Sequence, residues 1–221
     1  TNLASLYTNV GCYINSFCMS VFMYADDIIL LAPTVTGLQL LLEQCEGELF
    51  DLDMRVNSKK SVCLRFGARF NTSCASIESS FGGPLQWVDN CRYLGVYFTA
   101  GRVFRCSFVH AKSSFFRSVN SILCKVGGFA SEEVILSLIK LKKCLPCLLY
   151  SIEVCPIKVS DKHSLDFTLT RILMKILRTG SSVVIKECQL QFNVLPLRYQ
   201  IDIRTIKFLQ QFMLSTNSLC S

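Results

Sequence analysis

The chain has 221 residues, 51% of them apolar, and a formal net charge of +7. That length holds one large domain or two small ones, and the apolar share is ample for a core, with surplus for a partner surface. No uninterrupted apolar run reaches membrane-spanning length; the nearest, Cys144 to Ile152, is short and contains Pro146.

No basic segment leads an apolar stretch, so a signal peptide is not expected. The chain begins with Thr1 in mid-pattern, which reads as a fragment or as a frame cut from something larger. Its 13 cysteines are odd in number and scattered, which reads as reduced thiols of an intracellular protein rather than a disulfide framework. Charge is divided along the chain. Residues 1–54 carry seven acids and no Lys or Arg, whereas the remainder carries all 23 basic residues against nine acids, a net of +14. Such a basic part suits either a polyanionic partner or a solvated surface.

In chain order, residues 1–19 read as a helix end and a loop. Strands are expected at about 20–24 and 28–32, with Ala25-Asp26-Asp27 as the turn between them. Thr36-Gly37-Leu38-Gln39 has the form of a capping box, with Thr36 at the N-cap. Leu38, Leu41, Leu42, Cys45 and Leu49 then recur at helical spacing, which predicts a helix over 37–51 with Glu43, Glu46 and Glu48 on its exposed face. Asn57 to Phe66 reads as a loop and then a strand, with Val62, Leu64 and Phe66 on one side. Residues 67–84 read as a loop or loose hairpin around Gly82-Gly83-Pro84. Tyr93 to Phe98 reads as a further strand. Helical patterns follow at about 104–125, 132–150, 161–178 and 198–214. In the third of these, Leu165, Leu169, Ile172, Leu173, Ile176 and Leu177 form one stripe, and Glu132-Glu133 after Ser131 suits the start of the second. The fold class is therefore α+β, a strand-and-helix part followed by an all-helical part.

The chemistry concentrates at Asp26 and Asp27. Two adjacent carboxylates at a hairpin tip repel each other, and a divalent cation relieves that repulsion. Asp also suits plain surface turns, so the dipeptide alone leaves both readings open. Cys144-Leu145-Pro146-Cys147 fits C-x-x-C, but its flanks read as the inside of a helical segment rather than a redox or zinc site. His110 and His163 have no partner at metal or triad spacing.

The order of several motifs goes further. Gly11-Cys12-Tyr13-Ile14 precedes Tyr24-Ala25-Asp26-Asp27-Ile28-Ile29-Leu30-Leu31-Ala32-Pro33; Asn57 with Lys60-Ser61 follows a helix; Trp87 to Gly95 comes next. In these features the chain resembles the reverse transcriptases of non-LTR (LINE-class) retrotransposons, at their polymerase motifs C, D and E. Cys144 to Pro156, with Leu148-Leu149-Tyr150 and Glu153, resembles the family's thumb-side helical segment. The resemblance implies a partial palm over 1–102 and a helical thumb-like region over 103–221. It implies an RNA-directed DNA polymerase using magnesium, an RNA template, a DNA primer and deoxynucleotide triphosphates, without a membrane, in the nucleus or cytoplasm.

By resemblance, Asp26 is the shared metal ligand and Asp27 a second or supporting one. Tyr24 and Ala25 line the floor under the primer end, and Lys60 approaches the triphosphate, although a plain surface lysine is the alternative. Tyr93, Leu94 and Gly95 present backbone to the primer, with an ordinary buried strand as the alternative. Arg102, Arg105, Lys112, Arg117, Lys125, Lys140, Lys142 and Lys143 meet the phosphate backbone of the duplex. The family's further upstream aspartate and its fingers are missing, since none of the 25 residues before Asp26 is acidic. The expectation is that this polypeptide is inactive alone. The competing expectation is a non-catalytic remnant that binds nucleic acid or protein through its basic helices.

Overall fold

A computed structural model describes residues 11–14, 17–141 and 144–216. Its class is α+β: ten short strands and seven α-helices among the described residues. The chain divides into two compact units, one of residues 1–91 and 99–103, the other of residues 92–98 and 104–221.

The first unit begins with a short hairpin, β1 (Tyr13–Ile14) and β2 (Phe17–Cys18), where a loop was expected. The helix end expected before it lies outside the described residues. The fully buried Ser20 closes this hairpin by accepting from the Cys12 N–H (3.0 Å) and from Cys18 Sγ (3.2 Å). A Cβ on Gly11 would fall 1.7 Å from Ser20 Oγ, so only glycine lets the backbone pass there.

β3 (Val21–Tyr24) and β4 (Asp27–Leu30) form the expected antiparallel hairpin. Helix α1 (Val35–Phe50) follows. Its N-cap is Thr34, whose Oγ1 accepts from Gly37 N–H at 3.0 Å, and not Thr36. Gln39 is consequently free of capping duty and clamps a distant strand. Its Nε2 donates to the Glu78 carbonyl (2.9 Å), and its Oε1 accepts the Glu78 N–H (2.8 Å).

β5 (Val62–Cys63) pairs parallel with β7 (Gly83–Trp87), which pairs antiparallel with β6 (Ile77–Ser79). The buried position in β5 is Cys63, while Val62 and Phe66 are exposed. Helix α1 packs on β4 and β6, and Leu42, Cys63, Ile77 and Leu85 form the core beneath it. Apolar burial there pushes the Cys63 thiol up to about 11.

The segment expected as one strand over 93–98 is two strands, β8 (Asn90–Tyr93) and β9 (Val96–Thr99), joined by a turn at Leu94-Gly95. β10 (Arg105–Ser107) completes that sheet in the order β10-β9-β8, so the helix expected from 104 starts later.

The second unit carries the larger core. Helices α2 (Val109–Val126), α3 (Glu132–Leu141), α4 (Cys144–Leu148), α5 (Val159–Ile176), α6 (Ser182–Gln191) and α7 (Leu197–Met213) surround it, with a 3₁₀ turn at Ile152–Val154. Leu165, Leu169, Ile172, Leu173 and Ile176 of the expected stripe are buried together with Phe115, Val119, Ile139 and Leu148. Helix ends are satisfied across elements. Asp166 of α5 accepts the Leu197 N–H at the start of α7 (2.8 Å). Lys140 Nζ donates to the Asn193 carbonyl just beyond α6 (2.9 Å).

Candidate functional site

The β3–β4 register pairs Tyr24 directly with Asp27, so the turn has two residues, Ala25 and Asp26, rather than three. Ala25 has φ +53° and Asp26 has no positive φ, the pattern of a type II′ connection. Asp26 therefore projects from the tip itself, and Asp27 opens β4 beside Tyr24, on one face of the ladder. Both carboxylates are exposed, as are Tyr24 and Ala25. Neither acid belongs to an ion pair; among the described residues those are Lys162–Asp202 and Arg204–Glu153.

An L-residue held at positive φ is strained by about 1–2 kcal/mol, part of which glycine would lose again to its greater freedom when unfolded. Ala25→Gly is therefore expected to stabilise the hairpin by ~0.5 kcal/mol. Slower hydrogen exchange of the Tyr24 and Asp27 amides would register it, and faster exchange would contradict it.

Lys60 lies on an exposed turn just ahead of β5. Asn57 builds that turn: its Oδ1 accepts the Lys59 N–H (3.2 Å), and its carbonyl accepts the N–H groups of Lys60 (3.0 Å) and Ser61 (2.9 Å). The Asn at the head of the N-x-x-K-S pattern thus has a local structural task. Among the described residues, no ion pair joins Lys60 to Asp26 or Asp27.

Two carboxylates make only part of a metal cage. Among the described residues no three His, Cys, Asp or Glu side chains cluster where they could hold an ion. The described residues by themselves do not fit a two-ion site, and no magnesium-dependent step is assigned to them alone. The C-x-x-C pair sits within α4, with Cys144 fully buried and Cys147 Sγ 3.5 Å from Ser114 Oγ.

The Leu94-Gly95 turn has positive φ at both residues, +45° and +85°, the form of a type I′ hairpin connection. Tyr93 ends β8 and stacks on Phe98. Tyr97 of β9 stacks on His110 at 3.8 Å between ring centroids, and the Arg92 guanidinium lies 6.0 Å from the same Tyr97 ring.

The expected phosphate contacts divide. Arg102, Arg105, Arg117 and Lys125 are exposed. Lys112 instead donates to Ser164 Oγ (3.0 Å), and Lys140 caps α6, so both ammonium groups already have internal tasks. Lys142 and Lys143 lie outside the described residues.

One charged residue was misplaced by sequence reasoning. Glu46 is not on the exposed face of α1 but buried, 3% exposed. Ser79 Oγ donates to its Oε1, and the Ser80 N–H donates to its Oε2 at 2.9 Å. Among the described residues no helix is long and apolar enough to cross a membrane.

No family model matches the chain. It is 30% identical over 113 residues to the retrovirus-related Pol polyprotein from type-2 retrotransposable element R2DM of Drosophila melanogaster. That match takes in 48% of this chain and spans 11% of the polyprotein's length. The similarity supports a retrotransposon-related origin for the chain.

Proposed function

We propose that this chain is part of the polymerase region of a non-LTR retrotransposon reverse transcriptase, the C-terminal half of the palm followed by the thumb. The observation that carries the reading is the tight β3–β4 hairpin, which exposes Asp26 and Asp27 at its tip. The similarity to a retrotransposon Pol polyprotein supports it. On this reading the catalytic constellation is shared with a polypeptide upstream, and the chain does not extend primers alone.

The test is to join the upstream region and supply a primed RNA template, deoxynucleotide triphosphates and magnesium. Extension by the joined protein, with none by this chain alone, is the expected result. A joined protein that folds, binds primer–template and still does not extend it contradicts the assignment.

A second reading is favoured by the charge division, net +14 after residue 54. A non-catalytic remnant would bind RNA through exposed basic residues such as Arg105, Arg117 and Lys125. Its affinity would fall steeply with salt and ignore Asp26.

A further inference from the structure

The Leu94-Gly95 turn is held by a single aromatic side chain from a distant part of the chain. Tyr150 Oη donates to the Leu94 carbonyl at 3.1 Å. Its ring also lies against Gly95, where a Cβ would come within 3.0 Å of Tyr150 Cε1. The backbone around Tyr150 is anchored, because Leu148, Leu149 and Ile152 are buried to within 2%. The next residue, Ser151, has φ +53°, so the chain reverses there and leaves the Tyr150 ring outside, 57% exposed. A leucine in the left-handed region would not stay there unaided, and the hydroxyl bond to its carbonyl is a local restraint on that conformation.

The strands of this sheet are basic. Arg92 and Arg105 are exposed, and Arg92 lies over Tyr97. No acidic residue occurs within 92–98 or 104–112. A restrained backbone turn on strands that carry arginine and no acid suits a phosphodiester strand, met by position rather than by base identity.

We propose that Tyr150 is a positioning residue that holds the Leu94-Gly95 turn in the form that meets a nucleic-acid strand. This rests on the proposed function, on which Tyr93, Leu94 and Gly95 would present backbone to the primer. It makes the helical segment after α4 responsible for the shape of that turn, with the hydroxyl as the critical atom.

The experiment is equilibrium binding of the full chain to an RNA–DNA duplex over a range of salt concentrations. Tyr150→Phe keeps the ring and removes one hydrogen bond, so a roughly three- to tenfold loss of affinity is expected. The slope of log affinity against log salt stays unchanged, because no charge is removed. Hydrogen exchange at Gly95 and Val96 quickens at the same time. Gly95→Ala puts an L side chain where φ is +85° and a Cβ 3.0 Å from Tyr150 Cε1, so it distorts the turn and is expected to weaken binding to a similar degree. That variant decides the matter even where Tyr150→Phe folds poorly: undiminished affinity in Gly95→Ala overturns the proposal. Undiminished affinity in a well-folded Tyr150→Phe, with exchange at the turn accelerated, also overturns it and leaves Tyr150 a purely structural role. The underlying reading fails separately, through wild-type binding that is weak and indifferent to salt.

Discussion

Asp26→Asn, introduced into the protein joined to the upstream region that the proposed function calls for, is expected to abolish primer extension. Asparagine is nearly the same size as aspartate and equally at home in a two-residue turn, so the β3–β4 hairpin should persist. What disappears is one negative charge at the most projecting point of the hairpin. On the proposed reading Asp26 would be a direct metal ligand; losing even an outer partner of a bound metal costs about ten- to a hundredfold, so its loss should exceed about a hundredfold. Asp27→Asn should do less, because Asp27 stands one position down the ladder, paired with Tyr24. Primer–template affinity measured in parallel separates chemistry from binding. Full extension by the Asp26→Asn protein would remove Asp26 from the catalytic role. Equal losses at the two positions would mean that the turn–strand distinction carries no functional weight.

The hairpin was legible because two acids interrupt two apolar runs, a local signal that needs no tertiary knowledge. The turn length was not, since nothing in an alanine announces the positive φ that lets Ala25 and Asp26 close it alone. The same blindness joined β8 and β9. Tyr93 to Phe98 keeps an apolar run through Leu94, and only Gly95 hinted at a reversal that needs two left-handed residues. Helix α5 showed itself through a full stripe of leucines and isoleucines. Helix α6 was missed because it buries only Ile185 and Gln189, too few positions to set a period, although Ser181 caps it at Val184 N–H. Basic residues of the helical part were read as contacts to a phosphate backbone. Lys112 and Lys140 also donate to partners more than 50 residues away, which no local pattern reveals.

The lysine contacts and the burial of Glu46 went unread for one reason. Sequence periodicity reports which face of an element meets apolar neighbours, but it is silent about polar groups recruited over long separations. In the first unit such recruitment ties the helix to the sheet. Gln39 grips the backbone of β6, and two turns further on Glu46 takes the hydroxyl and amide that end the same strand. Among the described residues the apolar cluster beneath them has four buried members. The polar clamp therefore fixes where α1 lies on β6, and through α1 and Leu30 it helps to seat the hairpin that carries Asp26 and Asp27.

Glu46→Ala is accordingly expected to be the most damaging single change in the first unit. It removes a charge-assisted acceptor pair and leaves the Ser79 hydroxyl and Ser80 N–H without their partner in a site where Glu46 itself is 3% exposed. Hydrogen bonds to a charged group and stranded buried donors together put the cost at about 3 kcal/mol. Glu43→Ala on the same helix should cost less than about 0.5 kcal/mol, since Glu43 is exposed and accepts only from Gln39 Nε2. The chain has one tryptophan, Trp87, and it packs against the core of this unit. Its fluorescence therefore follows the unfolding of the right part of the molecule. With a denaturant slope of ~1.5 kcal/mol per molar urea, Glu46→Ala should lower the Trp87 midpoint by about 2 M. Glu46→Gln, which keeps one carbonyl acceptor without the charge, should fall between Glu46→Ala and wild type. If Glu46→Ala and Glu43→Ala shift the midpoint equally, the carboxylate is not what ties α1 to β6, and the seating of the hairpin must be sought in Leu30, Val35 and Leu38 instead.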